Sequence, residues 1–111
     1  MRMDPSEDDQ ICFIYHLKPG CGEEYDRLHA QIPPEIVDRI RARGTHDYSI
    51  FRRGDLVISV LRRASPDRAG TPDPATDALQ AEWTASLAPL FERTRDENGR
   101  ELFAHRVFHL E

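Results

Sequence analysis

The chain has 111 residues, of which 39% are hydrophobic and 32% charged, and this composition fits one compact domain rather than a disordered polymer or two independent units. Its formal net charge of -5 argues against a general nucleic-acid binder, because phosphate binding draws on clustered Lys and Arg. No apolar run approaches the roughly 18 residues that span a bilayer, and the acidic amino terminus does not resemble a secretory signal, so we expect a cytoplasmic protein with no membrane partner.

The amino-terminal residues 1–9 are rich in Asp and Glu and poor in apolar side chains. This predicts a disordered lead-in, followed by a single domain over residues 10–111. The first strand is predicted over residues 11–17, where alternate side chains divide into two faces that are both largely apolar. Residues 18–20, Lys-Pro-Gly, then end this strand.

Two helical segments are predicted next. The first begins at Gly22 with acidic residues in its first turn, and its apolar and aromatic side chains recur at helical spacing at Tyr25, Leu28, His29 and Ile32. Pro33 and Pro34 predict a kink or a restart, because proline cannot donate the backbone hydrogen bonds of a continuous helix. We expect Pro34 to begin the second segment and Gly44 to supply its left-handed cap.

The rest of the chain is predicted to contain a hairpin, a loop, a helix and a last strand. Two β-prone runs at residues 46–51 and 56–61 flank a short glycine-containing turn, and residues 64–75 form a proline-rich surface loop. Thr76 is the expected N-cap of a helix that Pro89 bends or ends, and its apolar stripe is Leu79, Trp83, Leu87 and Phe91. Residues 96–99 form a turn, and alternation over residues 102–110 predicts a final strand.

This order of elements, β-α-β-β-α-β, predicts an α+β fold of the ferredoxin-like type, with four antiparallel strands and two helices packed on one face. The strands carry apolar residues on both faces, so the face without helices also needs cover. A second copy of the same face supplies that cover most simply. We therefore expect a homodimer in which the two sheets pack together.

Tyr25 and His29 are the first candidate catalytic residues. They lie four residues apart, so on a helix they project from one face about one turn apart. Histidine gives and takes protons near neutral pH, and a neighbouring phenol donates a hydrogen bond or orients a hydroxyl. The alternative is that both side chains only pack against the core.

Three further residues are candidates for binding a small molecule. Trp83 is the only tryptophan, and its indole either packs in the core or stacks on the apolar face of a sugar. Asp47 and Tyr48 lie at the start of the hairpin, where they either shape the loop or form hydrogen bonds with a ligand.

No metal site is expected from the histidines and cysteines. His105 and His109 share one face of the predicted last strand and could join His16 in a metal site. No Cys or carboxylate lies at a spacing that would complete such a site. Cys12 and Cys21 are expected to be small packing groups rather than a disulfide.

Four segments together resemble the L-rhamnose mutarotase family. Residues 22–29, GEEYDRLH, with residues 32–35, IPPE, resemble its EEY-x-x-x-H-x-x-I-W-P-E helix. Residues 44–50, GTHDYSI, are similar to its G-x-x-(N/D)-Y-(S/A)-I segment, and Trp83 falls at the second tryptophan of its WW helix. Residues 107–110, VFHL, are similar to its terminal (V/L)-F-x-(L/M). The likeness runs over nearly the whole chain, from about residue 11 to residue 110.

The resemblance implies a homodimeric enzyme of the dimeric α/β-barrel kind that interconverts the α and β anomers of a 6-deoxy sugar such as L-rhamnose, with no cofactor. It places His29 at the family's catalytic histidine, Tyr25 at its active-site tyrosine and Trp83 at a sugar-contacting tryptophan. Anomer exchange opens and recloses the pyranose ring by general acid-base chemistry, in which His29 is expected to carry the ring-oxygen proton.

The chain departs from the family pattern at three places. Pro33 replaces a tryptophan, Glu82 replaces the first member of the tryptophan pair, and residues 93–99 replace the family's NPDNSP loop. These changes alter the walls of the pocket, so L-rhamnose, L-fucose and other sugars stay open as substrates. Two further functions also stay open, because the same layout serves many proteins: a non-catalytic ligand-binding module, or a monooxygenase-like dimeric α/β-barrel protein.

Overall fold

A computed structural model of the chain describes residues 9–63 and 73–111. Most of the predicted lead-in and most of the predicted surface loop lie outside the described residues. The fold is α+β, with an antiparallel sheet and, in these two ranges, three α-helices. In chain order the elements are β1 (Asp9–Leu17), α1 (Gly22–His29), α2 (Pro34–Ala42), β2 (Thr45–Arg53), β3 (Leu56–Arg63), α3 (Pro74–Leu87), a 3-10 turn (Ala88–Leu90), β4 (Phe91–Arg93) and β5 (Phe103–Ala104).

Strand β1 is the centre of the sheet. One edge of β1 pairs with β3 along almost its whole length, and β2 lies beyond β3 at the outer edge. The other edge of β1 is shared by two short strands, since β4 pairs with His16 and Leu17 while β5 pairs with Cys12 and Phe13. The strand order is therefore β2-β3-β1-β4, with β5 also on β1.

The helices cover one face of this sheet. Leu17 and Val57 on that face form the core with Tyr25 of α1, and each of the three side chains is at least 96% buried. On the opposite face, Ile14 lies across from Ile58, which lies across from Phe51. Phe51 is 58% exposed, so this apolar row remains uncovered in the single chain.

The predicted break between the first two helices is confirmed, although α1 ends at His29 and does not reach Ile32. Pro34 is the first residue of α2, where its missing N–H costs no helical hydrogen bond. Gly44 follows α2 with φ 96°, the left-handed conformation expected of the cap.

The start of the first predicted strand and both ends of the third predicted helix were wrong. Strand β1 begins at Asp9, inside the predicted lead-in. Helix α3 begins at Pro74 with Asp73 as its N-cap, because the Asp73 carboxylate accepts hydrogen bonds from the Thr76 N–H and hydroxyl at 3.4 and 2.6 Å. Phe91 belongs to β4 rather than to the helical stripe, because the chain leaves the helix through the turn that contains Pro89.

The predicted final strand over residues 102–110 was also wrong beyond its first residues. Only Phe103 and Ala104 pair with β1, and the chain then continues without regular structure. Alternation forms a strand only where one face is buried and a free edge is available. The side chains of Val107, Phe108 and Leu110 are 77–86% exposed, so no burial holds this segment in the sheet. Among residues 9–63 and 73–111, none of the helices has the length and apolar content of a membrane span.

Candidate active site

His29 and Tyr25 are in direct contact at the carboxyl end of α1. Their rings lie 4.1 Å apart between centroids and 31° from parallel. Tyr25 is buried at 4% exposure, and His29 is half-buried beside it. The predicted pair therefore projects from one face of the helix, as the spacing of four residues requires.

The backbone of α1 fixes which nitrogen of His29 carries a proton. His29 Nδ1 lies 3.0 Å from the carbonyl oxygen of Tyr25. A carbonyl oxygen only accepts hydrogen bonds, so Nδ1 is the donor. Nε2 is then the ring nitrogen that can give or take a proton.

Helix α3 brings Trp83 to the same histidine. The indole meets the His29 ring edge-to-face, with centroids 5.2 Å apart and planes 73° from parallel. Phe91 closes the other side, where its ring lies 6.1 Å from that of Tyr25. The structure thus brings three of the five predicted site residues into one aromatic cluster.

Two neighbouring cavities open beside this cluster. The smaller has a volume of about 360 Å³ and is lined by Tyr25, His29 and Trp83. The larger has a volume of about 870 Å³, lies towards α2 and β2, and is also lined by Tyr25 and His29. His29 is therefore accessible from two sides, and Trp83 faces only the smaller cavity.

The two predicted residues of β2 are placed differently. Tyr48 lines both cavities, whereas Asp47 lines only the larger. Asp47 has φ 49° at a register shift between His46 and Ser49, a left-handed conformation that Asp tolerates better than most residues. The shift places Tyr48 over the helix-facing side of the sheet, where its phenol forms a hydrogen bond with Ser59.

Burial sets the protonation state of the tyrosines around the site. It raises the pKa of Tyr25 and of Tyr48 above the usual value for a phenol. Burial, followed by the nearby Glu101 carboxylate, raises the pKa of Tyr15 to about 12. These phenols therefore stay neutral at physiological pH and can act as hydrogen-bond donors.

Sequence reasoning missed several polar residues that line the smaller cavity. One is Ser59, which is 1% exposed on β3 and whose signal was a single hydroxyl within the apolar run LVISVL. The others are Gln80 and Thr84 on α3 and Arg95 and Glu101 beyond β4. They carry no local motif, because their meeting depends on how distant elements pack.

The cysteines and histidines considered in the sequence analysis form neither a disulfide nor a metal-binding cluster among the described residues. Cys12 and Cys21 are both free thiols. Within residues 9–63 and 73–111, no group of three or more His, Cys, Asp or Glu side chains is arranged to hold a metal ion.

The arrangement suits a neutral, hydroxyl-rich ring. An indole and a phenol supply flat apolar surfaces, and the serine, glutamine and threonine supply hydrogen-bonding groups. His29 supplies one nitrogen able to exchange protons with a bound ligand. The smaller cavity brings these groups together.

Comparison with known proteins gives a consistent result. A family model described as L-rhamnose mutarotase matches residues 10–110. An L-rhamnose mutarotase from Burkholderia cenocepacia is 36% identical over 105 residues, covering 93% of this chain and 99% of the relative. One from Acidiphilium cryptum is 31% identical over 105 residues, covering 92% and 98%.

The fold agrees with a solved structure. A crystal structure of L-rhamnose mutarotase from Formosa agariphila superposes with a TM-score of 0.67 at 19% identity, covering 93% of this chain and 99% of that one. Together with the match over almost the full sequence, this leads to one assignment. The chain belongs to the L-rhamnose mutarotase family.

Proposed function

We propose that this protein interconverts the α and β anomers of L-rhamnose, with His29 as the group that exchanges a proton with the sugar. Its family places it among the isomerases that act on sugar anomers. The observation that carries the proposal is the contact of His29 with both Tyr25 and Trp83 at a cavity of about 360 Å³.

The reaction requires proton transfer at two oxygens. A proton reaches the ring oxygen while another leaves the anomeric hydroxyl, the bond between the anomeric carbon and the ring oxygen breaks, and an open-chain aldehyde forms. Rotation of the aldehyde presents its other face, and the hydroxyl formed from the ring oxygen attacks that face. This hydroxyl loses its proton while the aldehyde oxygen takes one up and becomes the new anomeric hydroxyl. Atoms and charges are restored, so the sequence needs no oxidant or reductant.

His29, protonated on both ring nitrogens, is proposed to deliver the ring-oxygen proton from Nε2 and to recover it on closure. The hydrogen bond from Nδ1 to the Tyr25 carbonyl supports this role, because it leaves Nε2 as the exchanging atom and fixes the plane of the ring. Tyr25 is proposed to orient or relay a proton at a sugar hydroxyl. Its raised pKa keeps it in the donor form.

The remaining predicted residues are proposed as sugar contacts. Trp83 presents an indole face that can fix the plane of the pyranose ring. Tyr48 is proposed to contact the sugar from β2, since it lines both cavities. Asp47 is proposed to accept a hydroxyl hydrogen bond at the larger cavity.

Polarimetry of freshly dissolved sugars tests the proposed activity. A single anomer of L-rhamnose should reach its equilibrium rotation faster with the protein than in buffer alone, and L-fucose and D-glucose serve as comparison substrates. A protein that leaves the rate of every sugar unchanged would overturn the proposal. Retention of L-rhamnose without any acceleration would indicate a binding module instead.

We also propose that the sheet is ferredoxin-like and that two copies pack through it as a dimeric α/β-barrel. The uncovered row of Ile14, Ile58 and Phe51 supports this arrangement, because an apolar sheet face of this kind is normally buried. Light scattering should give twice the mass of one chain, and Phe51→Asp should yield monomers. A monomeric wild-type protein at high micromolar concentration would contradict the dimer.

A cytoplasmic location is proposed as well. The free thiols of Cys12 and Cys21 support it, because reducing compartments keep such residues unpaired.

A further inference from the structure

The segment between β4 and β5 forms a closed turn beside the candidate active site. Arg95 and Glu101 face each other as an antiparallel bridge, and the Asp96 N–H donates to the Arg100 carbonyl at 2.8 Å. The Asp96 carboxylate accepts hydrogen bonds from the N–H groups of Asn98 and Arg100 at 2.8 and 3.0 Å. These bonds fix the turn internally.

Both ends of this turn are attached to the central strand. β4 pairs with the end of β1, and beyond the turn the Leu102 carbonyl accepts the Ile14 N–H at 3.0 Å. The residues of the bridge are therefore held by the sheet rather than by a free loop. Their positions relative to β1 are set by backbone bonds on both sides.

The bridge places two charged side chains on the wall of the smaller cavity. Arg95 and Glu101 both line it, together with Trp83 and His29. Glu101 is half-buried, and among residues 9–63 and 73–111 no cation lies within ion-pair distance of its carboxylate. The Arg95 guanidinium donates one bond, from Nη1 to the Gly99 carbonyl at 3.2 Å, so further N–H groups remain for a ligand.

The effect of Glu101 on neighbouring tyrosines agrees with its position on the cavity wall. Burial is the main cause of the raised pKa of Tyr15 and of Tyr48, and the Glu101 carboxylate raises both further, so it acts on phenols of this cavity. A half-buried carboxylate gains most from a ligand that supplies O–H donors, and its two oxygens match two hydroxyls on adjacent carbons. A sugar supplies such donors.

We propose that Glu101 and Arg95 determine substrate choice by binding adjacent sugar hydroxyls, the carboxylate accepting hydrogen bonds from them and the guanidinium donating to their oxygens. This inference rests on the proposed function, whose cavity it uses. The substrate class is a monosaccharide with at least two neighbouring free hydroxyls, and an analogue that lacks one of them binds poorly. Arg95 lies within residues 93–99, which replace the family's NPDNSP loop, and Glu101 follows two residues after them.

Direct binding of L-rhamnose, measured by titration calorimetry, tests the inference separately from catalysis. Glu101→Gln preserves the shape of the side chain and removes its charge, and it should weaken binding about tenfold, because charge-assisted hydrogen bonds are about twice as strong as neutral ones. Glu97→Gln is the matched control, since it removes the same charge from an exposed position on the same turn that does not line the cavity. It should bind L-rhamnose as the wild type does.

Deoxy analogues show whether the carboxylate recognises hydroxyls. Wild-type protein should bind at least one of the 2-, 3- and 4-deoxy forms of L-rhamnose about tenfold more weakly than L-rhamnose itself, and Glu101→Gln should lose most of this discrimination. Near-ultraviolet circular dichroism confirms that each variant is folded.

Sugar affinity and the rate of anomer exchange, measured separately, distinguish this inference from the proposed activity. Equal affinities and equal discrimination in wild type and Glu101→Gln would overturn the inference, whatever the rate of anomer exchange. Affinity that depends on Glu101 without any acceleration would support the inference and overturn the proposed activity. A wild-type protein that binds no sugar would overturn both.

Discussion

Arg52 of β2 holds Asp26 of α1 with two short parallel bonds, Nε to Oδ1 at 2.8 Å and Nη2 to Oδ2 at 2.6 Å. Nη1 of the same guanidinium donates to the Gly54 carbonyl at 2.7 Å. This bidentate pair ties the helix of Tyr25 and His29 to the β2-β3 hairpin, and Arg52 lowers the pKa of Asp26. This ion pair therefore joins the packing of Tyr25 against Leu17 and Val57 in fixing the candidate site relative to the sheet.

The glycine at the start of α1 makes room for this guanidinium. A Cβ on Gly22 would lie 2.3 Å from Nη1 of Arg52 and 3.1 Å from the Gly54 carbonyl oxygen. We expect Gly22→Ala to lower the free energy of unfolding by about 1–2 kcal/mol, because overpacking outweighs the better helix propensity of alanine. In an Arg52→Ala background the same substitution should be close to neutral. Urea denaturation of the four proteins measures this, and an equal loss in both backgrounds would contradict the steric explanation.

Removing the imidazole should abolish most of the activity. We expect His29→Ala to lower kcat for anomer exchange by about 100- to 10,000-fold, the usual contribution of a general acid-base group. His105→Ala is the control, because this histidine lies on the exposed carboxyl-terminal segment and should leave the rate unchanged. A folded His29→Ala protein that is as fast as the wild type would remove His29 from the mechanism.

Replacing the tryptophan should affect binding more than chemistry. Trp83→Ala removes a stacking surface worth about 1 kcal/mol, so KM should rise about fivefold while kcat changes less. Trp83→Phe keeps an aromatic face and should restore most of the affinity. Initial rates at several sugar concentrations separate the two constants, and an unchanged KM in Trp83→Ala would show that the indole only packs against His29.

Asp47 of β2 has a left-handed backbone conformation, so two substitutions there can separate the effect of the backbone on stability from the effect of the carboxylate on sugar binding. Asp47→Gly and Asp47→Ala both remove the carboxylate, but only glycine adopts φ 49° without steric cost. We expect the alanine variant to be about 1 kcal/mol less stable than the glycine variant. KM for L-rhamnose should rise equally in both, and an unchanged KM in Asp47→Gly would show that the carboxylate does not contact the sugar.

Alkaline conditions should destabilise the fold through its buried phenols. Tyr15 has a pKa of about 12 in the folded protein against 10.0 ordinarily, so between these values the folded state holds more protons than the unfolded state. Stability is therefore fully present below pH 10 and falls as the pH rises through about 12. Tyr15→Phe should make this fall shallower, with Tyr25 contributing the remainder in the same direction. Urea midpoints measured along this range check the slope, and identical slopes would exclude Tyr15 as a cause.

Features that depend on neighbouring residues were predictable from the sequence. The break at Pro33 and Pro34, the cap at Gly44 and the shared face of Tyr25 and His29 follow from local backbone chemistry and helical spacing. The resemblance to the mutarotase family likewise used short motifs, and the match over residues 10–110 confirmed it.

Features that depend on distant contacts were not predictable. Ser59, Arg95 and Glu101 meet at one cavity only because β3 and the turn after β4 lie on the two sides of β1. The prediction of a strand over residues 102–110 was wrong for a related reason. Alternation of apolar and polar residues does not reveal whether a sheet edge is free to pair with the segment.

The division of one edge of β1 between β4 and β5 has an evolutionary consequence. Because the sheet anchors both ends of the turn that connects them, the residues of that turn can be exchanged without disturbing α1 or the imidazole that it carries. By the inference above, this turn contributes to sugar preference, while α1 carries the imidazole proposed for proton transfer. During evolution, substitutions in this turn can therefore change which sugars are accepted while the helix that carries the histidine stays the same.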